Sequence, residues 1–555
     1  MCGIVGYTGK KNATPFLIEG IKRLEYRGYD SYGIFVQPDY IHKSTGSIGP
    51  ETAGISVCGT TGIGHTRWAT TGEVNKVNAH PHQAGTIAIV HNGVVSNHKE
   101  LKEHFNSNLF VSDTDSEVIA RIIKRDGVSS ILSSIQSIKG ELGAILVTDD
   151  CLPNTIWAYS DGSPLIAGIG EDGDYYIASD VRALSGYVTK AYRLNSKELV
   201  IFAAGERVNL NKYKIAEVPD KPVSKNNFDH YMLKEICEQP LQIDDEPEEF
   251  NLPAIGDNIK IIGCGSSYYA GLLGKRFLED ISQIPTSVEY ASEVSLNTPM
   301  PHNTTHIAIS QSGETKDTIS AIKKLFPKVV SLHNSNGSTI TSLCEYNNYI
   351  NAGPEVGVAA TKTFFKTCLR LYHLAEYYKT SKHYTPQLEL ENIAQQVIDN
   401  ANHIHTVAQQ IYHYNNFLVL GSGYHYPIAL EIALKLKETA YVHAEAMPAA
   451  EMKHGPIALI DKNTPSIFFC MSNDPNINQI LQNIEEVKSR KGEVLVFTDC
   501  QNIDADWIIE LPKHMNFRLQ PLISVIGGQL LSYYIALTRG CEIDKPRNLA
   551  KSVTV

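Results

Sequence analysis

Apolar residues are distributed differently in the two halves of this 555-residue chain. In the first two hundred positions they form short runs, many β-branched or aromatic. Residues 2–7, 33–36, 86–90, 143–148, 156–159, 165–169 and 199–202 each read as a strand. Helical spacing intervenes around 13–24 and 115–124. Many strands with few helices predict an α+β domain. Past residue 250 the pattern changes. An apolar run at 259–262 meets a glycine turn, Gly263-Cys264-Gly265, and then helical spacing over about 268–280. The same succession recurs at 416–420, Gly421-Ser422-Gly423 and a helix from near Tyr426. Alternating strands and helices predict a parallel, doubly wound sheet, and the recurrence predicts two copies of it.

Between these regimes, residues 212–227 mix charge with Pro219 and Pro222, and no apolar period returns until Tyr231. The acidic stretch 244–249 reads as a solvated connection. The expected organisation is therefore a domain over 1–220, a linker over 221–250, two α/β domains over 251–395 and 396–545, and a tail over 546–555.

Composition narrows the classes. The chain is 43% hydrophobic and 20% charged, with a net charge of −11, so it has no overall basic character for nucleic acid or an anionic membrane. There is no uninterrupted apolar run of eighteen residues and no secretory-signal pattern at the start. Ten cysteines are scattered without a CxxC pair, which argues against a disulfide framework and for the cytoplasm.

Several patches carry chemistry. Cys2 follows the initiator methionine, and removal of Met1 would place thiol and α-amine on one residue. An amine of reference pKa about 7.7–8.0 can act as the base for its own thiol. Arg67 beside Trp68 suits a carboxylate held against an aromatic wall. Asn92-Gly93, at a strand end, offers the donors of an oxyanion hole. Asp113 and Asp115 open a helix, where one caps and the other faces a ligand amine. Each has a plainer alternative: a buried inert thiol, a surface ion pair, a turn dipeptide, a cap.

In the second half, the strand at 306–309 runs into Ser310-Gln311-Ser312-Gly313-Glu314-Thr315 and a helix over 317–325. Hydroxyls and free amides at a helix N-terminus form an anion cradle suited to phosphate, or else an over-provided N-cap. The second copy has Phe468-Phe469-Cys470-Met471-Ser472-Asn473 there, which predicts one phosphate site per chain. Glu431, Lys435 and Glu438 are spaced i, i+4, i+7 and share a helical face, with Lys437 pointing elsewhere. They are a surface ion ladder or, given Ile428, Leu434 and Ala440 around them, a buried group with a task.

CGIVGY at 2–7, LEYRGYDS at 24–31, GHTRWAT at 64–70, NAHPH at 78–82, HNGVVSN at 91–97 and SDTDSEV at 112–118 resemble the N-terminal-nucleophile glutaminase domain of class II glutamine amidotransferases. CGSSYYAG at 264–271, SQSGET at 310–315, EVGVAATK at 355–362, YPIALEIALKLKE at 426–438, AEAMPAAEMKHGP at 444–456 and DKPRNLAKSVTV at 544–555 resemble sugar-isomerase (SIS) domains. Together they extend the likeness to the glucosamine-6-phosphate synthase family along the whole sequence. The resemblance implies an αββα glutaminase followed by two doubly wound SIS domains.

It also implies roles. Cys2 attacks glutamine, and Asn92 with Gly93 stabilises the oxyanion. Arg67 takes the substrate α-carboxylate, Asp115 its α-ammonium, Arg27 shapes the site and Trp68 gates an ammonia passage. Ser267, Ser310, Gln311, Ser312, Thr315 and Val358 hold fructose 6-phosphate. Lys551 forms an imine with the opened sugar, Glu438 moves a proton between C1 and C2, and Glu431 and Lys435 support it. His454 assists ring opening from the neighbouring subunit of a homodimer. No metal or organic cofactor is implied; His80-Pro81-His82 is too close-set for a metal site.

Departures from the family pattern are Thr71 for an expected histidine, Ala360 for a serine and Ile432 for a small residue. Rival readings are a deglycase or deaminase with a degenerate glutaminase half, disfavoured by Cys2, Arg67, Asn92 and Asp115, and a non-catalytic sugar-phosphate sensor, disfavoured by Lys551 and Glu438.

Overall fold

The computed structural model describes residues 2–105, 109–219, 221–243, 249–295, 303–325, 329–380, 388–514 and 516–553. Met1 and most of the acidic stretch, 244–248, lie outside them. The chain forms two compact units. One comprises Met1–Val223 with Asn336–Ser342 and Ala550–Val555; the other comprises Ser224–Ser335 and Leu343–Leu549.

The first unit is built on two antiparallel sheets. Strands β1 (Gly3–Thr8) and β2 (Thr61–Arg67) lie side by side in the larger, eight-stranded sheet, with Gly3 opposite Thr66. Strand β3 (Ile87–Val95) belongs to the five-stranded sheet. Alternation along each strand sends Ile4, Ile63, Val90, Leu146 and Ile177 into the core formed by strands of both sheets. Helix α1 (Ala13–Arg23) covers the large sheet, and α2 (Glu117–Asp126) packs Val118, Ile119 and Ile122 with Ile87 and Ile89 of the small one. The result is the expected α-β-β-α layering.

Strand β2 has no strand pattern in its Thr-Gly-Ile-Gly-His-Thr-Arg sequence, because two glycines flank its one large apolar residue, Ile63. Packing explains it. A Cβ on Gly64 would lie 2.9 Å from Val5 Cγ2 and 3.0 Å from Ile21 Cγ2, so glycine lets α1 cross the sheet closely.

The second unit holds two parallel five-stranded sheets of identical order. In the first, Thr286–Tyr290 flanks β4 (Asn258–Gly263), then come β5 (Thr304–Ser310), Val329–His333 and Tyr346–Tyr349. In the second, His443–Pro448 flanks β6 (Asn416–Gly421), then come β7 (Ser466–Cys470), Val494–Thr498 and Trp507–Glu510. Both follow the order 2-1-3-4-5, whose switch point is a crevice at the carboxyl ends of the first and third strands.

The stretch read as a linker contains a helix, α3 (Tyr231–Cys237), too short to show an apolar period. Helices α4 (Ser266–Ile281), α5 (Lys316–Leu325), α6 (Lys362–Thr380), α7 (His425–Ala440) and α8 (Gln520–Thr538) also belong to the second unit. Helix α8 is long and apolar enough to cross a membrane by length and composition, but it is almost wholly buried. It is a core helix, packed on α7.

Candidate active site

In the first unit, pairing of β1 with β2 brings Cys2 to Trp68, one residue past the end of β2. The Trp68 N–H donates to Cys2 Sγ at 3.4 Å. A bulge in β3 between Asn92 and Val94 turns the Asn92 amide toward Cys2. Cys2 N–H donates to Asn92 Oδ1 at 3.4 Å, and Asn92 Nδ2 donates to the Cys2 carbonyl at 3.2 Å. Burial pushes the Cys2 thiol up, while the Trp68 N–H and Arg67 pull it down. Gly93 has no room for a side chain: a Cβ would meet the Glu141 carbonyl at 2.4 Å.

Arg67 is buried and spends its fork on its own loop, donating to the Thr71 carbonyl at 2.6 Å, to Gly72 at 3.1 Å and to Glu73 at 3.3 Å. Asp115 accepts the Val95 N–H at 2.7 Å. It does not cap α2, and neither does Asp113, which pairs with Asn78. Glu117, inside the first turn, takes the Ser112 N–H and hydroxyl at 2.8 Å each and so fastens the preceding loop to the helix start, while no side chain caps α2 among the described residues.

Arg27 donates to Asp180 Oδ2 and to the Tyr26 hydroxyl, both at 2.8 Å. Arg182 shares Asp180 and lies 4.0 Å over the Tyr26 ring, and the two arginines hold the Asp180 carboxyl far below its usual range against burial. The turn beside Arg27 lies against the Arg67–Trp68 peptide: a Cβ on the next residue, Gly28, would lie 2.6 Å from the Arg67 carbonyl carbon and Trp68 N.

Sequence reasoning passed over a row of buried imidazoles beside this group. His65 stacks on His80 at 4.1 Å between centroids, and His80 meets His82 at 4.4 Å. His65 Nε2 contacts the His91 carbonyl, and His91 Nδ1 contacts the Ser116 hydroxyl at 2.8 Å. Burial lowers all four, His65 to about 3, so they are neutral at pH 7. Their only sequence signal is their position beside Arg67, Asn92 and Asp115.

In the second unit, Ser310 ends β5 and its hydroxyl accepts the Gly313 N–H at 3.1 Å and pairs with the Thr315 hydroxyl at 3.2 Å. Ser312 Oγ accepts the Glu314 N–H at 3.1 Å. Gly313 takes φ +65°, which turns the loop over the N-terminus of α5. Ser267, half-buried, sits in the first turn of α4, at the first-strand side of the same crevice. Gln311 shares the loop, and its carbonyl accepts the Asn334 N–H at 3.1 Å.

Glu431, Lys435 and Glu438 form the group their spacing foretold, and it is not a surface ladder. Lys435 and Glu431 are fully buried while Glu438 is 20% exposed. Lys435 Nζ lies 2.6 Å from Glu438 Oε2 and 3.3 Å from Glu431 Oε1, while Lys437 is exposed. Burial raises the Glu431 carboxyl to about 7 against the pull of Lys435. The two carboxylates keep the Lys435 ammonium charged despite its burial.

The sequence singled out Ser267 but missed Ser266, which donates to Glu431 Oε1 at 3.0 Å and accepts from Lys435 at 3.4 Å. Ser266 ties the start of α4, beside the crevice of the first sheet, to α7. Val358 is buried, with its N–H on the Asp544 carbonyl at 3.2 Å. The tail reaches α7 as well: Arg547 N–H donates to the Tyr441 hydroxyl at 2.8 Å. Lys551 is half-buried. His454 is exposed at the end of a short 3-10 turn, Ala449–His454, and among the described residues no hydrogen bond joins it to the glutamate–lysine group. The second copy's crevice holds a cavity of about 460 Å³ lined by Arg276, His425, Asn473 and Asp474, among others, and by none of these site residues.

Comparisons with known proteins follow the same division. Residues 41–221 match the glutamine amidotransferase domain family, and residues 256–377 and 410–539 each match the SIS domain family. The chain is similar to the glutamine–fructose-6-phosphate aminotransferase (isomerising) of Bacteroides thetaiotaomicron, 38% identical with all of both chains covered. The enzyme of the same name from Aquifex aeolicus is 39% identical over the full length of both. Among solved structures, the C-terminal domain of glucosamine-fructose-6-phosphate aminotransferase from Francisella tularensis is 33% identical, with a TM-score of 0.54. It is covered completely and matches 58% of this chain.

Proposed function

This chain belongs to the glutamine–fructose-6-phosphate aminotransferase (isomerising) family, and from that premise we propose how its own residues divide the work. The reaction converts fructose 6-phosphate and glutamine into glucosamine 6-phosphate and glutamate, at the entry to amino-sugar synthesis.

Cys2, freed of Met1, attacks the glutamine side-chain amide as its own amine takes the thiol proton. The Asn92 Nδ2 and Gly93 N–H stabilise the tetrahedral oxyanion, ammonia leaves, and water releases glutamate from the thioester. Arg67 exchanges its loop carbonyls for the substrate carboxylate, Asp115 takes the ammonium, and Arg27 keeps the Arg67–Trp68 peptide against the nucleophile. Ammonia passes Trp68 to the sugar without being trapped as ammonium in bulk water.

On the sugar side, Ser310, Gln311, Ser312, Thr315 and Ser267 take the phosphate, with Val358 along the sugar. Lys551 forms an imine at C2, which ammonia displaces. Glu438, the exposed member of its group, carries the proton from C1 to C2. Lys435 holds Glu438 in place and Glu431 and Ser266 hold Lys435. His454 acts in ring opening from a second copy of the chain, so the working species is a homodimer. The support for that assignment is its exposure and, among the described residues, the absence of a hydrogen bond from it to the glutamate–lysine group. Ten unbridged cysteines support a cytoplasmic location.

The observation that carries the reading is the fully buried Glu431–Lys435 pair with a half-open Glu438 beside it, an arrangement too costly to keep for stability alone. The test measures glutamate and glucosamine 6-phosphate release with and without fructose 6-phosphate. Equal amounts of both products with sugar present are expected; glutamate without amino sugar would leave only a glutaminase. Intact mass is expected to show Met1 removed from active protein.

A further inference from the structure

The segment assigned to the sugar, residues 355–363, is fixed by carboxylates along its length. Buried Glu355 closes it on itself, accepting the N–H groups of Thr361 and Thr363 at 3.0 Å each and the Thr363 hydroxyl at 2.7 Å. The next three amides leave the segment. Val356 and Gly357 donate to Glu235 Oε1 at 2.5 and 3.2 Å, and Val358 donates to the Asp544 carbonyl at 3.2 Å.

Those two acceptors are joined through α3. Glu235 rides on the helix and is buried. Asp544 caps it: its carboxylate accepts the Tyr231 N–H at 2.9 Å and the Met232 N–H at 3.0 Å, with Lys225 Nζ 3.3 Å away. His230, at the N-cap position, makes no side-chain cap bond, so a residue three hundred positions downstream does its work. Buried hydrogen bonds from amides to a carboxylate are charge-assisted and strong in a low dielectric, so they can hold a loop that would otherwise be soft.

We propose that Glu235 and Asp544 are positioning residues for sugar recognition, making α3 a bracket that sets Val358 against the substrate. The proposal rests on the reading of residues 355–363 as the sugar segment. It assigns a task to a stretch that sequence pattern reads as linker. The C-terminal tail also starts from this bracket, so the register of the tail and of the sugar segment is set by one helix.

Glu235→Ala, Glu235→Gln and Asp544→Ala separate positioning from general stability. Glu235→Ala is expected to raise KM for fructose 6-phosphate about tenfold or more while kcat at saturating sugar changes less than about threefold. Glu235→Gln, which keeps one acceptor oxygen, falls between it and the parent, and Asp544→Ala resembles Glu235→Ala. Glutamine hydrolysis without sugar, run on Cys2 in the other unit, stays at the parent rate. An unchanged KM, or an equal loss of both activities, would overturn the bracket.

Gly357→Ala serves if Glu235→Ala does not fold. Its Cβ would lie 2.9 Å from Glu235 Oε2, so it displaces the carboxylate without removing it. The same KM rise is expected, and a parental KM overturns the proposal. If the parent protein itself shows no saturation by fructose 6-phosphate, the functional reading fails and the bracket with it. If the parent saturates and the variants match it, the bracket alone fails.

Discussion

Ile432 of α7 lies directly over Gly528 of α8, so closely that a Cβ on Gly528 would come within 2.4 Å of Ile432 Cδ1 and 2.5 Å of its Cγ1. The residue that departs from the family's usual small side chain is thus accommodated by a glycine on the facing helix. Ile432 is fully buried and sits between Glu431 and Lys435 in sequence, so its packing fixes the helix that carries Glu431, Lys435 and Glu438.

Gly528→Ala is therefore expected to overpack the α7–α8 contact and destabilise the second unit by about 1–3 kcal/mol. Denaturant unfolding would show it as a lower midpoint at unchanged slope. Ile432→Ala in the same chain should recover part of the loss, because it removes the atoms that clash.

Asn92 is bonded to Cys2 at both backbone polar groups, and it is also the assigned oxyanion donor. Asn92→Ala should lower kcat for glutamine hydrolysis about 100- to 1000-fold. KM for glutamine should move little, since the lost interaction belongs to the transition state; a steady-state glutamate assay separates the two.

Ser266→Ala removes a hydrogen bond to a buried carboxylate and leaves Glu431 less well held. Formation of glucosamine 6-phosphate should fall about tenfold in kcat, in line with about 1.5 kcal/mol for a bond to a charged group. Glutamine hydrolysis without sugar should be unaffected.

The four histidines of the first unit set its acid limit. Their folded pKa values lie below the unfolded value of 6.5, with His65 at about 3. Below pH 6.5 the unfolded chain takes up protons that the folded one refuses, so stability is full above that pH. It falls as pH drops below 6.5, for His65 by on the order of 1 kcal/mol per pH unit until about pH 3, with the other three adding in the same direction. Thermal unfolding between pH 7.5 and 5 should show the first unit's transition moving down, and His82→Asn should flatten the slope.

Much of this was legible along the chain. The recurrence of strand, glycine turn and helix foretold two sheets, which proved identical in strand order, and the i, i+4, i+7 spacing foretold a group that burial then took off the surface. What escaped had physical reasons. Strand β2 has glycines on both sides of Ile63, with Gly64 lying where α1 crosses it closely, so its single apolar residue shows no β pattern. Ser266 and Ser267 are equivalent by sequence, and only the packing of α4 on α7 tells which one meets Glu431. The cap of α3 comes from Asp544, a relation that no local spacing encodes. Asp113 and Asp115 leave α2 uncapped because the loop before it turns them to Asn78 and to the Val95 N–H.

The fork of Arg67 is already engaged: three carbonyls of residues 71–73 take three of its five N–H donors. On the proposed assignment an incoming amino acid must outbid that loop, and only a negatively charged planar group offers better terms than neutral carbonyls. Admission to the first site is then a trade rather than an entry. Glutaminamide, with the right side chain and no carboxylate, has nothing to offer in exchange, and it should be refused by the loop well before it reaches the thiol.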